Sequence, residues 1–201
     1  KQSLLALALV LGFVALGVWA TRRAGSPAWS VGLWAALLCS GQVAMVLAIR
    51  SGWSRRFADP ALTLPQIVLT LLFTAWVYPM VGSVRAGVFP IFILILCFGM
   101  FQLSVRQTMF LALFTLLLVL MAMTVYVLRH PGGVDLHEEP AYLVMMVLSV
   151  AGVSVLAGRM ARLRRRLQRQ REELNAALAR LELLASKDTL TGLSNRRHGE
   201  E

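Results

Sequence analysis

Apolar residues gather in six runs separated by short polar breaks. The runs cover residues 3–20, 28–49, 60–81, 87–103, 107–128 and 140–158, the fourth being short. A helix needs roughly 20 apolar residues to cross a hydrocarbon core of about 30 Å. Each run therefore predicts a membrane-spanning helix. The pattern changes after residue 158. Met160, Leu163, Leu167, Gln170, Leu174, Ala177, Leu181 and Leu184 follow steps of three and four, a heptad seam in which Gln170 is the polar member. Arg162, Arg166, Arg169, Glu172, Glu173, Arg180 and Glu182 flank that seam. No Pro or Gly interrupts residues 159–185, so a helix of about 40 Å is expected.

Such a helix is marginal on its own in water. Its seam needs a partner. The same helix of a second subunit, in a parallel homodimer, is the expected one. An antiparallel fold-back onto its own chain is the other, but no loop follows that would reverse the chain. Leu174, Leu178, Leu181 and Ala185 form a second seam, rotated from the first by about one residue. The two registers are expected to be alternative signalling states.

Composition agrees with the pattern. The chain has 201 residues, 58% hydrophobic and 15% charged, whereas a soluble domain carries about 25% charged and about 45–50% apolar residues. A large soluble core is therefore not expected. The net charge is +10, and Arg159, Arg162, Arg164, Arg165, Arg166, Arg169 and Arg171 crowd one short stretch. A basic chain can signal nucleic-acid binding. Here the cluster directly follows an apolar run, which is the pattern of a cytoplasmic membrane flank; no nucleic-acid partner is expected. Cys39 and Cys97 lie in apolar runs without the spacing of a disulfide frame or metal site. The chain begins with Lys1, so a trimmed N-terminus is expected. A cleaved signal peptide does not fit, because five more apolar runs follow the first.

The arginines after the sixth run set the orientation, with both termini in the cytoplasm. Arg50, Arg55, Arg56 and Arg106 then fall inside, in agreement. The loop of residues 129–139, with Asp135, Glu138 and Glu139, falls outside. Arg22 and Arg23 fall outside as well, against the rule. The second run carries a stripe of small residues, Gly32, Ala36, Ser40, Ala44 and Ala48. Steps of four place them on one face, which is expected to pack against another helix within the subunit or across a dimer.

The heptad helix ends in Ser186 and Lys187, followed by Asp188, Thr189, Leu190, Thr191, Gly192, Leu193, Ser194, Asn195, Arg196 and Arg197. Locally this is a helix stop at Ser186 or Asp188, a turn at Gly192 and an N-cap at Asn195. The segment also closely resembles the motif Asp-x-Leu-Thr-Gly-Leu-x-Asn-Arg-Arg that opens GGDEF (diguanylate cyclase) domains. Asp188, Leu190, Thr191, Gly192, Leu193, Asn195, Arg196 and Arg197 all match. The resemblance covers about the last fourteen residues.

In that family, the resemblance implies, two catalytic domains face each other, each holding GTP and a divalent metal such as Mg. Each 3′-hydroxyl attacks the other nucleotide's α-phosphate and yields cyclic di-GMP. The motif seen here is then a junction, and Arg196 and Arg197 are not catalytic. The Gly-Gly-Asp/Glu-Glu-Phe turn and the metal-binding acids do not occur in this sequence. No catalytic residue and no cofactor is expected in these 201 residues; GTP and Mg belong to the cyclase domain that the resemblance implies. Residues 58–65 and 98–103 give the apolar part a weaker resemblance to six-span sensor regions found ahead of such domains in bacteria.

Polar groups inside a membrane are costly unless used. None of the six runs has an ionisable residue near its centre, so a proton relay is not expected. Trp76, Tyr78, Pro79, Arg85 and Pro90 form the best candidate cluster. Pro79 and Pro90 free backbone groups near helix ends. Arg85, expected in a very short loop, suits a phosphate, carboxylate or lipid headgroup. Trp76, Tyr78 and Arg85 are thus the candidate contacts for an amphipathic or lipid-like ligand. An interfacial aromatic belt and a lipid-facing arginine explain the same residues without a ligand. Gln42, Gln66, Gln102 and Gln107 suit interhelical hydrogen bonds. His130 and His137, beside Asp135, Glu138 and Glu139, offer a weak zinc pattern; no metal site is assigned.

The expected fold is an all-α membrane protein. Residues 1–158 form a six-helix transmembrane domain, residues 159–186 a cytoplasmic coiled-coil signalling helix, and residues 187–201 the start of a GGDEF domain. The expected function is sensing and dimerisation in the bacterial inner membrane, controlling a cyclase domain. Two rivals stand beside it: a membrane anchor that dimerises without sensing, and a small transporter-like bundle. A transporter favours charged or broken helices at the midplane. An anchor needs only one or two spans. A histidine-kinase output is disfavoured, because no phospho-acceptor histidine follows the coiled coil.

Overall fold

The computed structural model describes residues 2–57, 59, 61–99, 103–130 and 138–186; side chains are described for 12–57, 59, 61–99, 103–130 and 139–181. Six α-helices occur among them: α1 (Gln2–Arg23), α2 (Ala28–Arg50), α3 (Thr63–Val77), α4 (Phe89–Gly99), α5 (Val105–Arg129) and α6 (Glu138–Ser186). Three 3-10 segments are interspersed, Trp53–Arg56, Tyr78–Met80 and Gly82–Val88, and the described residues contain no strand. Five helical stretches among the described residues are long and apolar enough to cross a membrane: Ala28–Arg50, Thr63–Met80, Gly82–Gly99, Val105–Arg129 and Glu139–Leu181. α1 has 22 residues, and its described side chains begin at Gly12.

The side-chain distribution suits a bilayer. On α5, Leu111, Thr115, Leu118, Ala122 and Tyr126 are buried, and the face they share points into the bundle. The opposite face shows Phe110, Leu113, Leu117, Leu120 and Met121, each at least half exposed. A water-facing helix would carry polar groups there. Apolar residues on all sides are what lipid solvates, and an all-helical chain satisfies its backbone within each segment.

The chain divides into two units at Gly158 and Arg159. In the first, α3 is central and packs on α2, α4 and α5. Trp34, Leu38, Leu71, Phe92, Leu111 and Met146 fill the middle and are almost fully buried. Trp34 of α2 donates its indole Nε1–H to the Phe73 carbonyl at 2.8 Å. Its ring lies against Gly17 of α1, where an added Cβ would sit 2.6 Å from a ring carbon. Gln42 donates to Thr70 Oγ1 at 3.0 Å, tying α2 to α3. Gln107 instead completes a capping box with Ser104 at the start of α5. Gln102 lies outside the described residues.

One sequence expectation is corrected here. The third run ends as an α-helix at Val77, because Pro79 cannot continue it and the chain tightens into the 3-10 turn Tyr78–Met80. The small-residue stripe of α2 divides: Ala44 and Ala48 face a gap between α2 and α3, while its first three members do not pack within the subunit. Gly32, Ala36 and Ser40 are exposed, and nothing lies within 4 Å of a Cβ added at Gly32. The buried face carries Val31, Trp34 and Leu38. Large residues pack there because the room comes from the partner helix, at Gly17.

α4 is short, with 11 residues, or about 16 Å at 1.5 Å per residue. The seven-residue 3-10 segment Gly82–Val88 precedes it; Gly82 opens it in the left-handed region at φ 58°, and the six residues that follow add about 12 Å at roughly 2.0 Å per residue. Together they match the core of about 30 Å. Arg85 therefore lies inside the fourth helical stretch and not in a loop. Arg22 and Arg23 occupy the last turn of α1, where cations suit the helix dipole. The Arg23 guanidinium also lies over the Trp19 ring, 5.5 Å from its centroid.

In the second unit, α6 continues to Ser186. Leu163, Leu167, Leu174, Leu178 and Leu181 are each 49–61% exposed, and Gln170 and Ala177 are exposed beside them. The seam is thus an open apolar stripe in the single chain. The side chain of Leu184 and all of residues 187–201, including the junction motif from Asp188 to Arg197, lie outside the described residues.

Candidate functional site

A buried polar cluster forms where α3, α4, α5 and α6 meet beside the 3-10 turns. Proline and helix geometry build it. Pro79 ends α3 and leaves Tyr78 turned inward, 1% exposed. The 3-10 segment Gly82–Val88 then carries Arg85 inward, 8% exposed. Tyr126 arrives from the last turn of α5. Glu139 arrives from the first turn of α6, 7% exposed. An acid there suits the positive end of the helix dipole, and Pro140 suits a first turn because its missing N–H needs no partner.

The geometry is that of an ion pair with an aromatic wall. Arg85 Nε donates to Glu139 Oε1 at 2.9 Å. Arg85 Nη1 donates to the Tyr126 hydroxyl at 3.1 Å. The guanidinium also lies 4.4 Å from the Tyr126 ring centroid, close enough for cation–π attraction. The Tyr78 hydroxyl donates to Glu139 Oε2 over a longer 3.4 Å. Tyr78 meets Tyr126 edge-on at 6.2 Å and Phe89 at 5.5 Å, and Phe89 meets Tyr142 at 5.6 Å. Buried charges persist when they are paired and hydrogen-bonded; here each oxygen of the Glu139 carboxylate accepts a bond.

The candidate contacts divide. Tyr78 and Arg85 converge on one carboxylate. Trp76 does not join them: it is 42% exposed and stacks on Phe73 at 5.7 Å, as an aromatic facing lipid does. Arg85 is not the surface arginine that a loop position implied. Glu139, expected in the outer loop as part of a weak zinc pattern, lies instead in the first turn of α6 and pairs with Arg85; nothing in the sequence marked Tyr126 for the site. The acid-proline pair opening the sixth run was the available signal for Glu139. Tyr126 had none beyond a hydroxyl within an apolar stretch.

His130 stacks on Tyr126 at 4.5 Å, and its Nδ1 lies 3.0 Å from the Tyr126 carbonyl oxygen. His137 and Asp135 lie outside the described residues, and the described residues contain no group of three metal-ligating side chains.

Comparison with protein-family models, with curated proteins and with solved structures found no match to this chain. The class defined by the fold and the cluster is thus an all-helical chain of several long apolar helices, compatible with a membrane protein, with a buried arginine–glutamate pair at the head of its longest helix.

Proposed function

We propose that this chain is a membrane sensor and dimerisation module that controls a C-terminal diguanylate cyclase domain through its last helix. It sits in a bacterial inner membrane with both termini in the cytoplasm. It acts as a homodimer joined along the seam from Leu163 to Leu184. The observation that carries the reading is the Arg85–Glu139 pair. Glu139 occupies the first turn of α6, and the same helix later presents the heptad seam. A change at Arg85 therefore acts on the helix that bears the dimer contact. The cluster also suits the amphipathic or lipid-like ligand: a carboxylate or phosphate competing with Glu139 for Arg85 frees the head of α6. Seven-residue 3-10 segments are unusual, and such stretches recur at hinges.

The test uses the full-length protein and its cyclic di-GMP output. Arg85→Gln and Glu139→Gln each break the pair. A sensor is expected to lose its response to conditions, with output fixed high or low, while the dimer persists in native mass spectrometry. Unchanged output and response in both variants reject sensing through this pair and favour the anchor.

A further inference from the structure

At the other end of α3 from Tyr78, a groove of about 560 Å³ opens between α2, α3 and the start of α5. Ala44 and Ala48 of α2, Trp53 and Phe57 of the turn that follows, and Leu64 and Leu69 of α3 wall it. α2 and α3 touch closely at Gly41, where an added Cβ would lie 2.7 Å from a Leu69 methyl. Beyond that contact the alanines are too short to close the gap.

Apart from the Trp53 indole, two lining residues have polar side chains, and both are engaged. The Asp59 carboxylate accepts from the backbone N–H groups of Ala61, Thr63 and Leu64 at the start of α3. Gln107 caps α5 with Ser104. The interior thus offers an incoming molecule apolar contact. No arginine lines the groove itself, but the turn that closes it is basic: Arg55 and Arg56 stand between Trp53 and Phe57 and are exposed. Asp59 is the one acid between residues 41 and 69.

We propose that this groove binds an anionic phospholipid. Its acyl chain lies along the α2–α3 wall and its phosphate meets Arg55 and Arg56 of the turn that follows α2. An apolar cleft alone takes any acyl chain; the arginines select a negative headgroup. Trp53 and Phe57 meet edge-on at 5.0 Å and are both about half exposed. Aromatic side chains placed so belong at headgroup depth. A soluble metabolite would want convergent polar groups inside the site, and the two polar side chains of the lining are already bonded. The proposal rests on the helices crossing a bilayer and not on the chain being a sensor.

The test offers the full chain in detergent either phosphatidylglycerol or phosphatidylcholine with the same acyl chains, and counts retained lipid by native mass spectrometry. Phosphatidylglycerol, one per subunit, is expected to be held at least about tenfold more strongly, since each interfacial arginine favours an anionic headgroup. Arg55→Gln with Arg56→Gln should remove the preference. Ala44→Leu should expel the lipid while leaving the charges in place, and Ala48→Leu repeats that at a second wall position. Unfolding midpoints without lipid show whether these variants keep the parent fold. Equal retention of both lipids overturns the proposal. So does undiminished phosphatidylglycerol in a stably folded Ala44→Leu or Ala48→Leu variant, because the arginines would then hold lipid outside the groove. Were the bilayer reading itself wrong, the chain would stay dispersed in buffer without detergent and retain neither lipid.

Discussion

Arg85 and Glu139 are 54 residues apart in the chain, yet Nε and Oε1 stand 2.9 Å apart in a site that solvent barely reaches. Two ionised groups held out of water depend on each other. Each is far costlier alone than the pair is together.

The first prediction follows from that dependence. Arg85→Ala leaves Glu139 buried without its counter-charge and should cost about 3–5 kcal/mol of stability. Arg85→Met combined with Glu139→Leu removes both charges at similar volume and should recover most of the loss. Chemical or thermal unfolding in detergent reports both values. A double variant as unstable as the single would mean that geometry, and not charge, holds the cluster.

Gly17 and Trp34 give a second test, remote from any charge. Gly17→Ala puts a methyl 2.6 Å from the indole, so the Trp34 ring must move and its bond to the Phe73 carbonyl must stretch. Overpacking of this kind typically costs about 1–3 kcal/mol. Trp34→Phe in the Gly17→Ala background should relieve part of it. Unfolding midpoints of the four combinations measure the coupling between the two sites.

A third prediction concerns the seam. Cys39 and Cys97 are free cysteines and must first be replaced with alanine. On the proposed dimer reading, a single cysteine at Ala177 should then crosslink between subunits in one signalling condition and one at Leu178 in another, while one at Leu174, which both seams share, should crosslink in either. Leu167→Asp should weaken the dimer at a core seam position. A position 178 that never crosslinks disposes of the two-register idea.

Trp76 supplies a fourth, in which little should change. It is exposed and touches Phe73, away from Arg85. Trp76→Leu keeps an apolar surface toward lipid, so stability should shift by no more than about 0.5 kcal/mol, as at sites without a special role. On the proposed reading, the cyclic di-GMP output of the full-length protein should also keep its response. Loss of that response with Trp76→Leu would restore it to the ligand site.

The helices were legible because long apolar runs favour helix, and among the described residues the six runs fall largely on helices. Their ends were less so. Pro79 marked the end of α3, but residues 82–86 have the look of a loop, and a 3-10 stretch leaves no periodicity of its own to find. Arg85 was noticed as a charge among apolar neighbours. Its partner was not, because Glu139 stood among other acids near a helix start and only the folded chain selects it. The α2 stripe was only partly informative. Small residues mark where backbones can approach, but which helix supplies the gap is a property of the pair: α1 supplies it at Gly17 and α2 at Gly41.

The segment Gly82–Val88 also sets a length. After Gly82, which lies in the left-handed region at φ 58°, residues 83–88 span about 12 Å at the 3-10 rise and about 9 Å at the α rise. On the proposed sensor reading, rewinding them would draw the ends about 3 Å closer, beyond the roughly 1–2 Å helix shifts found at subunit interfaces. Arg85 stands within that stretch with its side chain bonded to Glu139 in the first turn of α6, so such a change of pitch would pull on the helix that carries the seam.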